Sequence, residues 1–396
     1  MRFKGIPQNV VVLGLVSFFT DVSSDMIYPL LPVFLTQYLG VGQSFLGLVE
    51  GFAESTAAFF KLLSGLWADR TKDRSKLVLF GYGLSSFSRP FMALAQTPWV
   101  VFFVRFSDRM GKGIRTSPRD ALIADSVESS ERGKAFGLQR SLDNAGAVFG
   151  PLLATLLLAT CVKNLRHLFW IAAIPGMIAV ALIVWKVREV RTVRRPSAQR
   201  EPLRLKLPDN PKFKVYLGIL FIFILSSSSD AFLLLRAGDL GVPAALLPVL
   251  WMIFNMIKAG TTLPFGSLSD RLGRRRVILM GWIIYILAYV GFGLASTPWH
   301  AWALFALYGL FYGFTEGTER AILADYAAPE ERGQAYGWYY FIAGLGSLPA
   351  SLLFGFIWQA AGAKTAFLTS AAISATAALL LFIFLQVVPT SHPAKT

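Results

Sequence analysis

Asp21 and Asp25 stand four residues apart in a segment that is otherwise almost entirely apolar. With Ser17, Ser24 and Tyr28 they fall within about 80° of arc at 100° per residue, a single polar stripe on a helix. Residues at i and i+4 are neighbours on such a helix. Two carboxyls this close in a low dielectric rarely both stay ionised, so the pair suits the binding and release of a proton. The alternative is that both acids are locked in structural salt bridges. A second stripe gathers Arg105, Asp108, Arg109, Lys112, Arg115 and Arg119 within about 120° of arc. Lipid does not tolerate such a face, so it must line a cavity or meet acids on other helices. Partners are at hand in nearby apolar segments: Glu50, Glu54 and Lys61 in one, Arg140, Asp143 and Asn144 in another. With a rise of 1.5 Å per residue, Asp108 lies about 15 Å below a helix entry at Pro98. Asp21 and Glu54 reach similar depth, so Asp21, Glu54, Arg105 and Asp108 are expected to form one midplane network.

The second half of the chain is quieter. A run from Ser226 to Ser229 precedes Asp230, Asn255 and Lys258 follow, and Tyr308, Tyr312, Thr315, Glu316, Glu319 and Arg320 share one side of a later segment. The serine run reads most simply as close helix packing. The expected division of labour follows from this bias. Asp21, Asp25, Glu54 and Asp108 carry proton coupling. Substrate contacts come from Arg105, Arg109, Lys112, Arg140, Asp143, Asn144, Asp230, Asn255, Lys258 and Glu316.

The elements that must hold these groups are set by composition. Of 396 residues, 55% are hydrophobic and only 15% are charged, against roughly 25% charged in soluble proteins. Soluble enzymes, nucleic-acid modules and disordered chains drop out. Segments that cross a bilayer are helices or closed barrels. Barrel strands alternate, whereas these runs are apolar throughout. The expectation is an all-α membrane protein with helices roughly at 10–38, 43–67, 76–96, 98–125, 132–162, 167–187, 213–238, 243–268, 276–296, 298–325, 332–360 and 364–388. The net charge of +15 collects in alternate loops. By the positive-inside rule those loops and both termini are cytoplasmic, and Arg274, Arg275 and Arg276 read as a topology signal. The stretch 188–212 is basic and proline-containing. It reads as a cytoplasmic linker between two six-helix bundles at 1–187 and 213–396.

The halves repeat. Gly65, Asp69 and Arg70 recur about 200 residues later as Gly266, Asp270 and Arg271, Thr97-Pro98-Trp99 as Thr297-Pro298-Trp299, and Glu131-Arg132-Gly133 as Glu331-Arg332-Gly333. Parallel six-helix repeats with a site between them near the midplane are a transporter architecture. The run from Gly266 through Asp270 and Arg271 to Arg275 resembles the signature loop of the major facilitator superfamily, and the loop after Gly65 resembles a degraded copy with Lys72 where glycine is usual. Arg105 and Gly111 resemble a second signature of that superfamily, though Asp108 and Arg109 replace its usual residues. Gly137, Gly146, Gly150 and Pro151 resemble the helix-5 motif of its proton-linked antiporters, without the trailing glycine pair. The resemblance implies two pseudo-symmetric bundles that rock around a central site, with export as the direction. Gly65, Asp69, Arg70, Gly266, Asp270, Arg271 and the helix-5 glycines with Pro151 then act in conformational gating, the acids by ion pairs to neighbouring helices.

An enzyme reading lacks parts. The only histidines, His167, His300 and His392, lie near loops or a terminus, and no zinc, nucleotide-phosphate or nucleophile-elbow motif occurs. No metal, cofactor or nucleic-acid partner is expected. The lone Cys161 excludes an intrachain disulfide, and no cleavable signal peptide is evident. The expectation is a monomeric, multi-pass plasma-membrane protein (bacterial inner membrane if bacterial) whose partners are protons, lipid and a small-molecule substrate. Three transport readings compete: a proton antiporter exporting a small organic molecule, a symporter or facilitator for an anionic solute, and a lipid or lysolipid translocator.

Overall fold

Long apolar runs hide their own backbone polar groups only by closing helical hydrogen bonds, and every element described here is helical. The computed structural model describes residues 7–70, 73–128, 131–187, 189, 210–326 and 332–387. The helices are α1 (Gln8–Tyr38), α2 (Gln43–Arg70), α3 (Arg74–Ser88, continued by Pro90–Ala93), α4 (Pro98–Asp125), α5 (Arg132–Thr160) and α6 (Leu165–Lys186). They are followed by α7 (Pro211–Asp239), α8 (Ala244–Leu272), α9 (Arg274–Leu294) and α10 (Pro298–Tyr326). The last helical stretch, Arg332–Val387, bends at Gly362 (φ 86°), dividing it into α11 (332–361) and α12 (363–387). Only glycine takes that φ without strain, so the turn between the two spans needs no separate loop. The linker reading for 188–212 falls mostly outside the described residues.

Local signals explain the ends. Pro98, Pro211 and Pro298 sit in first turns, where a missing N–H costs nothing. Asn164 and Asn210 cap α6 and α7 by accepting from the N–H of each helix's second residue, Arg166 and Lys212, both at 2.9 Å. One expectation fails: α7 is not continuous. Its helix stops at Ser226 and resumes at Asp230, with Ser227 and Ser229 in extended geometry and the Ser229 side chain accepting from the Ala231 N–H. Serine competes with its own backbone for hydrogen bonds, so four in a row weaken a helix rather than pack it.

Among the described residues, seven helical segments are long and apolar enough to cross a membrane on length and composition alone. The exceptions include α2, α4 and α10, whose charges turn inward. Large apolar side chains such as Phe103, Trp185, Leu263, Trp299 and Phe356 point outward instead, as a lipid-facing surface requires. Inside each bundle contact is close. A Cβ on Gly146 of α5 would come 2.5 Å from the Phe18 carbonyl of α1, so glycine there sets the spacing of the two helices. Gly137, expected on the same packing face, has nothing within 4 Å of its Cβ position.

The two bundles, α1–α6 and α7–α12, meet along α2 with α11 and α5 with α8. At the outer ends the seam is shut. Tyr28 and Trp251 have ring centroids 5.0 Å apart, and the Ser44 N–H donates to Gln359 at 3.2 Å. Further in, Ser55 donates to the Gly344 carbonyl at 2.6 Å. Toward the basic, cytoplasmic ends Gly137, Gly266 and Gly337 have no atom within 4 Å of a Cβ position, while Lys61 of α2 lies over the Tyr340 ring of α11 at 3.6 Å.

Candidate functional site

Helices α2 and α4 run in the same direction, and they meet through two rungs one helical turn apart. Arg105 grips Glu50 with two hydrogen bonds of 2.8 and 2.7 Å, and Arg109 pairs with Glu54 at 3.1 Å. Glu50 is completely buried, so its charge is tolerable only because the guanidinium fork satisfies both oxygens. A third donor arrives from the other bundle: Ser229, at the break in α7, lies 3.3 Å from Glu50 Oε2. Asp108 is held by Arg89 of α3 at 3.1 and 3.0 Å, and Arg89 also donates to the Thr20 carbonyl of α1 at 2.9 Å. Arg105 reaches Asp108 only at 3.9 Å.

The expected midplane network of Asp21, Glu54, Arg105 and Asp108 is met in part. All four line one cavity, and Arg105 lies 3.9 Å from Asp108. The close partner of Arg105 is Glu50, however, Arg89 joins at Asp108, and Asp21 makes no ion pair among the described residues. Asp21 sits against Asp143 of α5, with Asp25 and Lys112 as its other charged neighbours. Lys112 is exposed to the interior and, among the described residues, makes no ion pair. Neither Asp21 nor Asp25 makes one either. Neighbouring carboxyls repel one another, and a bound proton relieves that repulsion. Arg115 and Arg119 are folded onto neighbours, Arg115 over the Tyr82 ring (4.3 Å) and bonded to Ser85 (2.8 Å), Arg119 onto Asp120 (2.9 Å).

On the opposite wall the break in α7 presents Asp230. Its Oδ1 accepts from Tyr308 at 2.6 Å and Tyr312 at 3.5 Å, and it makes no ion pair among the described residues. Lys258 lies over the Tyr312 ring (4.5 Å) and pairs with Glu316 at 3.2 Å. Glu316 in turn takes Arg140 of α5 at 2.8 Å, an ion pair that crosses the seam, and Arg140 also reaches Asp143 at 3.3 Å. Asn255 is turned back on its own helix, donating to the Trp251 carbonyl at 3.0 Å.

These groups enclose a cavity of about 450 Å³ lined by residues of both bundles, including Asp21, Asp25, Glu54, Arg105, Asp108, Arg109, Lys112, Arg140, Asp143, Asn144, Asp230, Asn255 and Lys258. A second space of about 330 Å³, toward the cytoplasmic side, shares Asp21, Glu54, Lys112 and Arg140 with it. Carboxylates and cations around the cavity match nearly one for one. Sequence reasoning had not selected Arg89, Trp251 or the Ser229 contact. Arg89 obeys the same rule that picked out the others, an ionisable residue inside an apolar span.

The gating residues divide. Gly146 and Gly150 pack on α1, and Pro151 lies within α5 beside them. Gly65 has only Ser117 near it, and Gly266 has nothing. The side chains of Asp69 and Arg70 lie outside the described residues. Asp270 is exposed and, among the described residues, reaches only Arg274 of the next helix, at 3.8 Å, and Arg271 is exposed. The close interhelical ion pairs are made by a different arginine in each half: Arg74 with Asp125, and Arg274 with Asp325 at 2.9 Å. Arg274, expected only to mark the inside, therefore ties α9 to α10, while Arg275 covers the Tyr326 and Phe384 rings.

Known proteins were compared with this chain. The family model described as Major Facilitator Superfamily matches residues 13–260 and 215–396. An uncharacterized MFS-type transporter of Methanocaldococcus jannaschii is 34% identical, covering 96% of this chain and 96% of its own length. Multidrug resistance protein MdtG of Citrobacter koseri is 25% identical over 92% of each chain. Among solved structures, a bacterial homolog of the human lysosomal transporter Spinster, in an inward-facing and unoccupied conformation, has a TM-score of 0.76 at 16% identity. It covers 98% of this chain and 99% of its own.

Proposed function

The chain belongs to the major facilitator superfamily, and on that premise we propose that it is a proton-coupled exporter of small organic molecules. Membership makes it a multi-pass membrane transporter of small molecules; coupling and direction are the proposal. The observation that carries it is Asp21, with Asp143 and Asp25 as its acidic neighbours, beside Lys112, which makes no ion pair among the described residues, all on one cavity between the bundles. Protons and substrate compete for this one space. A protonated acid group lowers the local negative charge and releases substrate outward. Return to the inward state delivers the proton to the cytoplasm. The halves rock about the seam, and each proton moved down one pH unit supplies about 1.4 kcal/mol. A relative named for multidrug resistance supports the export direction.

The anionic-solute reading rests on Lys112 and on Arg115, which meets Ser85 and the Tyr82 ring rather than a carboxylate. Arg89, Arg105, Arg109 and Arg140 spend their charge on carboxylates of the chain itself, so most of the cavity's positive charge is already taken.

The test is transport in proteoliposomes across a panel of organic solutes, with a pH gradient imposed in either sense. Antiport predicts that solute moves against the direction of proton flow and stops when the gradient is collapsed. Movement with the protons would instead establish symport.

A further inference from the structure

We propose that the α7–α8–α10 wall of the cavity is a subsite for an ammonium group, so that the transported molecule is an amine or quaternary ammonium with an apolar body. This rests on the cavity being the transport site, but not on its coupling to protons.

Asp230 is fixed by two phenolic hydroxyls on one oxygen, Oδ1, while it lines the cavity with no cation paired to it. The other oxygen, Oδ2, receives no hydrogen bond among the described residues. In the N-terminal bundle Glu50, Glu54 and Asp108 each have an arginine, and the acids without one, Asp21 and Asp25, stand near Lys112. Tyr308 and Tyr312 meet Asp230 through their hydroxyls, and the aromatic side chains on the lining of the same cavity are Tyr28, Trp251 and Tyr312, with the Tyr28 and Trp251 rings 5.0 Å apart. A carboxylate with one oxygen unbonded, in a cavity that also presents aromatic rings, selects ammonium over neutral or anionic groups through charge attraction and the ring quadrupole together. Tyr312 already holds a cation in this way: the Lys258 ammonium lies 4.5 Å over its ring while bonded to Glu316. Lys258 therefore marks what these rings accept, and it competes with an incoming ammonium for the Tyr312 face.

The experiment is a binding titration of the purified full-length protein in detergent, with no pH gradient, read by tryptophan fluorescence. The probes are benzyltrimethylammonium and its uncharged carbon isostere, neopentylbenzene. The cation should bind at least about tenfold more tightly than the isostere. Asp230→Asn should remove that preference while leaving isostere binding and thermal melting in place. Lys258→Met should tighten cation binding severalfold, a change that a purely structural lysine would not produce, and this variant decides the matter if Asp230→Asn fails to fold. Equal binding of the two probes, or a cation preference that survives Asp230→Asn, overturns the subsite. Because no gradient is present, loss of proton-driven flux elsewhere leaves this result standing, and the reverse holds as well.

Discussion

Arg140 of α5 and Glu316 of α10 meet at 2.8 Å across the seam between the two bundles, and the same carboxylate holds Lys258 of α8 at 3.2 Å. One side chain thus ties a cation from each half on the cytoplasmic side of the cavity. Glu316→Ala should let the bundles part there. Spin labels on the cytoplasmic ends of α5 and α10 should report a population shifted to longer distance. Because Arg140 is half exposed, the shift should be modest, within about fivefold in the ratio of states. An unchanged distance distribution would assign the bridge no part in the equilibrium.

The Glu50–Arg105 pair is of another kind, since both partners are buried. Removing one leaves an uncompensated charge away from water, so Glu50→Ala or Arg105→Ala should cost about 3–5 kcal/mol. The paired replacement Glu50→Leu with Arg105→Met should recover most of that. Thermal melting in detergent measures both, and additive losses in the double variant would contradict the coupling.

Gly146 and Gly137 lie on the same helix but meet different surroundings. Gly146→Val forces α5 away from the Phe18 carbonyl and should destabilise by about 1–3 kcal/mol. Gly137→Ala enters open space and should be neutral or slightly stabilising. Melting of the two variants side by side separates packing from gating on this helix.

Much of this architecture is written into the chain. Apolar runs specify the helices, the basic loops specify their direction, and the placement of charges within apolar runs specifies which faces turn inward. Pairing is harder to read. Glu50 and Glu54 are one turn apart, as are Arg105 and Arg109, so helical spacing alone permits either register. A small axial offset between α2 and α4 decides which carboxylate each arginine reaches. The break in α7 had a local sign that the apolar flanks masked, a serine followed by aspartate in the position of a helix start. Arg74 and Arg274 were obscured because a basic loop already has a sufficient explanation in topology, and only the positions of Asp125 and Asp325 on the adjoining helices reveal a second role.

Coupling through the helix-1 acids is tested most directly by comparing driven and passive transport in one variant. In proteoliposomes, Asp25→Asn should abolish accumulation driven by a pH gradient while substrate binding and substrate-for-substrate exchange persist. Gradient-driven accumulation that survives in Asp25→Asn would contradict the account. So would equal loss of binding in Asp21→Asn and Asp25→Asn, which would make the pair a substrate site instead.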